Sequence, residues 1–253
     1  MTTTSLQLPE RPRKPRSKGI TMVIDPGLPT SYFCDVVESH GSLFDGVKFG
    51  WGTALVTADL ERKIASLKEN RIPFCFGGTL FEKYVRQGRF DDFRRFCSLY
   101  GCEIVEVSNG TIALSNSEKA SYIEKLASEF TVYAEVGYKD PARSERLAAP
   151  GWIEFIREDL AAGASFVIAE SRESGRSGTC LADGRLRVGL VEELISSLGP
   201  DRLLFEAPTA GLQAYFVGRV GAEVNLGNIA ARDVVSLETL RLGLRSETLE
   251  QFD

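Results

Sequence analysis

Residues 131–141 read TVYAEVGYKDP, and their reading decides the fold. The run TVYAEV has the β-branched and aromatic character of a buried strand. It ends in Glu135 and gives way within four residues to Lys139. An ion pair is one account of that pairing, and a catalytic acid beside a metal ligand is the other.

Working outward, runs of the same kind recur along the chain: ITMVID (20–25), FDGVKFG (44–50), IPFCFGG (72–78), EIVEVSNG (103–110), SFVIAES (165–171), RLLFEAP (202–208) and EVNLGNI (223–229). Segments with helical spacing lie between them, among them TADLERKIASLKENR (57–71), FDDFRRFCSLYG (90–101), SEKASYIEKLASEF (117–130), WIEFIREDLAAG (152–163) and RVGLVEELISSLG (187–199). Several of these end in glycine, as helix C-caps often do. Eight strands alternating with helices predict an α/β protein, a single-domain (β/α)8 TIM barrel. A doubly wound open sheet is the competitor, but no GxGxxG follows the first strand.

The bulk numbers agree with one barrel. The chain has 253 residues, and such barrels take about 250. Its net charge of −5 gives no reason to expect nucleic acid or an anionic membrane as partner. No apolar run approaches the roughly 20 residues of a membrane helix. The first residues lack the apolar centre of a signal peptide. Residues 1–18 are read as a basic arm, with five cations between Arg11 and Lys18. That arm is solvated, packs on a neighbouring subunit in a homo-oligomer, or reaches an anionic site; residues 19–253 form the barrel. The five cysteines include no CxxC pair and the one histidine, His40, reads as part of a helix-to-strand turn, which excludes a Cys/His zinc site. Reduced thiols and a cytoplasmic location are expected.

Function in this fold sits at the C-terminal strand ends, and here those ends are polar. They carry Asp25, Lys48, Thr79 and Glu82, Glu106 with Ser108 and Asn109, Glu135, Glu170, Glu206, and Asn225 with Asn228. Strands 5, 6 and 7 each place a glutamate at the same point, in AEV, AES and FEA. Neighbouring strands lie about 4.8 Å apart, so Glu135, Glu170 and Glu206 crowd together and cannot all ionise without a counter-ion. A hard divalent cation such as Mg2+ resolves the conflict, as does a network with Lys48, Lys139 and Arg172. Lys139 is the natural proton donor, if its surroundings lower its pKa into a useful range. The loop after strand 6, SRESGRSGTCLADGRLRVG (171–189), offers Arg172 and Arg176 among Ser174 and Gly175 as an oxyanion clamp. Backbone N–H groups around LGNI, with Asn225, Gly227 and Asn228, are candidates for phosphate, and Lys48 joins the substrate-binding set.

The ordered set RPRKPRSKGITMVID, VKFGWGT, FGGTLFE, EVSNGTI, EVGYKDP, ESRESGRSG, LLFEAP and VNLGNI…DVVSLETLRLGLR resembles the phosphosulfolactate synthase family, over about Arg11 to Leu249. The resemblance suggests a bacterial member of a family of coenzyme M biosynthesis. It implies a (β/α)8 barrel and an Mg2+-dependent lyase-class reaction. Sulfite adds to C3 of phosphoenolpyruvate, giving (2R)-phospho-3-sulfolactate, and the lysine of EVG-x-KDP, here Lys139, is the proposed acid toward C2. Glu135, Glu170 and Glu206 then hold the metal, and Arg172 and Arg176 hold sulfite or phosphate. Two departures stand out. Archaeal members carry a lysine after the first-strand aspartate and another after EAP; this chain has Pro26 and Ala210 in those places. Two alternatives therefore remain open at this point: the same barrel and enolate chemistry with another nucleophile or enol phosphate, or a non-enzymatic protein like the family's heat-stress branch in plants.

Overall fold

The computed structural model describes residues 5–252. Its strands are β1 (Thr21–Asp25), β2 (Gly46–Phe49), β3 (Phe74–Phe76), β4 (Ile104–Val107), β5 (Thr131–Val136), β6 (Phe166–Ala169), β7 (Leu203–Glu206) and β8 (Leu226–Ala230). All ladders are parallel, in the order β3-β2-β1-β8-β7-β6-β5-β4. The sheet curls into a nearly closed barrel, and each strand falls inside a run expected from the sequence except β8, which ends one residue beyond it at Ala230.

The helices are α1 (Thr30–His40), α2 (Leu60–Glu69), α3 (Gly78–Arg86), α4 (Phe90–Tyr100), α5 (Asn116–Ala127), α6 (Pro141–Arg146), α7 (Ala149–Ala161), α8 (Val188–Leu198), α9 (Ala210–Val220) and α10 (Val234–Arg241). One departs from the sequence reading. GGTLFE does not prolong the third strand; it turns directly into α3, whose first residue is Gly78. His40 closes α1, as its turn-like context suggests.

Strand alternation splits the core in two. Side chains such as Val105, Ala134, Ala169 and Phe205 pack outward under the helices. Met22, Cys75, Ile104, Tyr133, Ile168 and Leu204 form a separate apolar plug, the filled interior expected of this barrel. Gly227 leaves room for that plug: a Cβ there would meet Leu204 Cδ2 at 2.4 Å.

Between β3 and β4 no ladder forms among the described residues. Side chains close this seam near its top. Glu106 Oε1 accepts from the Gly78 N–H at 2.6 Å, and Glu82 Oε1 accepts from Ser108 Oγ at 2.7 Å.

The N-terminal end is sealed by the basic segment. Arg11 pairs with Glu238 at 3.1 Å and Arg16 with Asp45 at 3.0 Å, while Lys14 donates to the Gly41 carbonyl at 2.6 Å. Residues 1–4 of that segment lie outside the described residues. No helix among the described residues is long and apolar enough to cross a membrane, and all five cysteines are free.

Candidate active site

Period 2 carries the apolar plug directly into a polar layer. Two residues beyond Ile104, Tyr133, Ile168 and Leu204 stand Glu106, Glu135, Glu170 and Glu206. All four carboxylates are buried yet line a cavity of about 400 Å³ at the C-terminal end of the barrel, with Lys48, Lys139, Arg172, Trp51 and Asn228.

Two lysines divide the carboxylates between them. Lys48 Nζ lies 3.0 Å from Glu206 Oε1 and 3.2 Å from Glu106 Oε2. Lys139 Nζ lies 3.3 Å from Glu135 Oε1 and 3.6 Å from Glu170 Oε2, and donates to Thr79 Oγ1 at 3.2 Å. Glu206 Oε2 also accepts from the Ser171 N–H at 2.9 Å, and Glu170 Oε1 from the Arg172 N–H at 2.6 Å. That leaves Glu135 Oε1 and Glu170 Oε2 buried with no hydrogen bond among the described residues. Glu135, Glu170 and Glu206 each offer an oxygen within 4.8 Å of the others, so a metal ion could be held there.

The charges explain the protonation pattern. Burial opposes ionisation of Glu135, but Lys139 and Lys48 overcome it and pull its pKa down to about 2. Glu170 is pushed the other way, by burial and then by Glu135 and Glu206, well above the usual carboxylate range. A pair split like this holds one proton between two carboxyls. Burial also opposes the charge on Lys139, yet Glu135 and Glu170 hold its ammonium above the ordinary lysine range. The sequence reading expected a lowered pKa; the carboxylates facing Lys139 reverse the sign. Lys48 is likewise raised, with Glu106 and Glu206 outweighing burial.

Backbone strain gathers at the same place. Among the described residues, four non-glycine residues have left-handed φ: Trp51, Arg71, Arg172 and Asn228. All but Arg71 line the cavity, and such strain clusters at working sites. At Gly178, φ is +65° and a Cβ would fall 1.8 Å from the Glu170 carbonyl oxygen, so only glycine lets this loop pack against Glu170.

A family model described as (2R)-phospho-3-sulfolactate synthase (ComA) matches residues 9–247. The chain belongs to the phosphosulfolactate synthase family. It is 50% identical over 245 residues to the phosphosulfolactate synthase of Bacillus subtilis (strain 168), covering 96% of this chain and 97% of that one. To the phosphosulfolactate synthase of Methanocaldococcus jannaschii it is 39% identical, covering 91% and 94%. It is 23% identical to Protein HEAT-STRESS-ASSOCIATED 32 of Arabidopsis thaliana, covering 92% and 88%. Among solved structures, 3-hexulose-6-phosphate synthase superposes with a TM-score of 0.59 at 15% identity, covering 87% of this chain and 99% of that one; this likeness shows the fold alone.

Of the site residues singled out from the sequence, the fold brings Lys48, Glu135, Lys139, Glu170, Arg172, Glu206 and Asn228 to one cavity. Five others lie outside that lining, among them Gly227, which faces the Leu204 side chain of the apolar plug. Ser174 and Arg176 are exposed and outside the lining. Gly175 makes a left-handed turn, with φ +63°, beside them. Asn225 is at the opposite end, where its side chain accepts from the Ile20 N–H and donates to the Asp201 and Leu203 carbonyls. Glu106 had been read as a polar strand end without a role, although IVEV carries the same alternation as AEV. Thr79 and Trp51 complete the wall. Asp25 turns away from the cavity into a buried pair with Lys63 at 2.6 Å.

Proposed function

We propose that the chain is a phosphosulfolactate synthase, forming a C–S bond between sulfite and C3 of phosphoenolpyruvate. The observation that carries the reading, beside family membership, is the Lys139 ammonium set against buried carboxylates that lack hydrogen-bond partners. Those oxygens, which make no hydrogen bond among the described residues, and the hard donor set of Glu135, Glu170 and Glu206 fit Mg2+. Bound there, Mg2+ supplies positive charge against which the substrate carboxylate can accumulate electron density.

The chain's own residues account for the rest. Lys48, Lys139 and Arg172 give the cavity its cations and attract a substrate with phosphate and carboxylate groups. The sulfur lone pair of sulfite forms the bond to C3 while the C2–C3 π pair moves into the carboxylate. Lys139 Nζ then gives its proton to C2 and is reprotonated from solvent. Its neighbours keep it charged until that step, and a positioned acid contributes about 10²–10⁴ in rate. Arg172 is drawn over the cavity by Nη1, which donates to the Lys139 carbonyl at 3.2 Å, so the clamp is tied to the loop that carries the acid. Asn228, with Oδ1 free among the described residues, offers its amide to the substrate. Pro26 and Ala210, where the resemblance to archaeal members would place lysines, are both exposed and outside the lining.

Phosphorus NMR on the purified protein with phosphoenolpyruvate, sulfite and Mg2+ tests the reading. A new phosphoester signal that requires both sulfite and metal is expected. Its absence from folded protein would move the assignment to another nucleophile or enol phosphate.

A further inference from the structure

Two lysines lie wholly buried outside the cavity, Lys63 on α2 and Lys119 on α5. Lys63 holds the start of the β1–α1 loop through Asp25 and the Leu28 carbonyl. Lys119 does something different. The β4–β5 register ends at the Val107–Ala134 pair, one residue short of Glu135. The Glu135 carbonyl, past the end of that ladder, accepts instead from Lys119 Nζ at 2.9 Å. The same ammonium pairs with Asp159 Oδ2 at 2.7 Å, both side chains being fully buried. Asn116 Nδ2 in turn donates to Asp159 Oδ1 at 3.3 Å and to Glu158 Oε2 at 2.6 Å.

A buried ion pair is a poor device for stability alone, since apolar residues of similar volume often serve as well or better. Here its third contact reaches the backbone of a cavity carboxylate. The chain leaves β5 two residues later through Gly137, where a Cβ would meet Glu170 Cβ at 2.6 Å and Trp152 Cη2 at 2.8 Å. The end of β5 therefore has little slack. A shift of the Glu135 carbonyl carries the Glu135 carboxylate and the Lys139 loop with it.

We propose that Lys119, held by Asp159, is a positioning residue for the reaction: it fixes the Glu135 backbone from outside the barrel and so sets Glu135 against Glu170 and Lys139. The proposal rests on the catalytic reading of this cavity. Supporting groups of this kind are worth about 10- to 100-fold in activity or metal affinity.

The test replaces the pair with apolar residues, Lys119→Met with Asp159→Leu, and measures kcat, KM for phosphoenolpyruvate, Mg2+ affinity by calorimetry, and thermal unfolding. A midpoint close to that of the parent is expected, with kcat or Mg2+ affinity reduced about tenfold or more and KM much less affected. Lys119→Arg, which keeps the donor, should restore most of the loss. If the apolar pair does not fold, Lys119→Gln with Asp159→Asn takes its place, with a side chain too short for the carbonyl. Folded paired variants with parental kcat and parental Mg2+ affinity would overturn the proposal. A parent protein that binds Mg2+ but shows no sulfite-dependent turnover would overturn the function reading instead, and the metal affinities would then decide the positioning claim. A parent with neither property overturns both.

Discussion

At the N-terminal end of the barrel, Arg241 spends its guanidinium on the Ala222, Val224 and Ile20 carbonyls and on Thr21 Oγ1, with only Nε unpaired among the described residues. Asn225, Arg11 and Arg16 are satisfied in the same way. At the C-terminal end of the same strands, Glu135, Glu170 and Asn228 keep buried oxygens with no hydrogen bond, and three non-glycine residues are held at left-handed φ. Buried polar groups left unpaired cost free energy. One end thus contributes stability, and the other gives some up to leave charge and hydrogen-bonding capacity for a ligand.

The largest expected effect lies at the open end. Lys139→Ala should lower turnover by about 10²–10⁴ with thermal unfolding little changed; near-parental turnover would remove Lys139 as the acid. The converse belongs to the closed end. Arg241→Met leaves the Val224 carbonyl without its donor, whereas the Ile20 carbonyl keeps the Leu226 N–H and the Ala222 carbonyl keeps Arg11; a stranded buried group costs about 1–3 kcal/mol, and denaturant unfolding should show a loss of that order. Turnover of the fraction still folded should hold, and a catalytic defect without lost stability would break the contrast. Smallest of all is Arg176→Ala. Its side chain is exposed and outside the cavity, so KM for phosphoenolpyruvate and for sulfite should stay within about twofold, whereas Arg172→Ala should raise at least one of them about tenfold, as expected for a lost charge-assisted contact. Equal effects would return Arg176 to the clamp.

Much of the open end is legible in sequence because strand alternation is rigid. Once RLLFEAP, SFVIAES and TVYAEV are read as parallel neighbours, Glu206, Glu170 and Glu135 must share a face and a level. The same rule would have delivered Glu106 from EIVEV. What alternation cannot supply is the direction of a loop. Arg172 and Arg176 are four residues apart in one polar, glycine-rich stretch, and Arg172 faces inward through contacts that only the fold supplies, its N–H on Glu170 Oε1 and its Nη1 on the Lys139 carbonyl. Nor does a helix pattern reveal a buried lysine. Lys63 and Lys119 sit among polar neighbours and read as solvated; their partners, Asp25 and Asp159, are 38 and 40 residues away and meet them only through the fold.

The central claim is that Glu135, Glu170 and Glu206, although in contact with Lys48 and Lys139, form a metal site rather than a closed ion-pair network. Calorimetric titration of Mg2+ into the protein, with and without phosphoenolpyruvate and repeated on Glu170→Gln, tests it most directly. The account predicts one Mg2+ per chain in the parent and an affinity lowered about tenfold or more in the variant. No binding heat in either condition, or equal affinity in the two proteins, would contradict it.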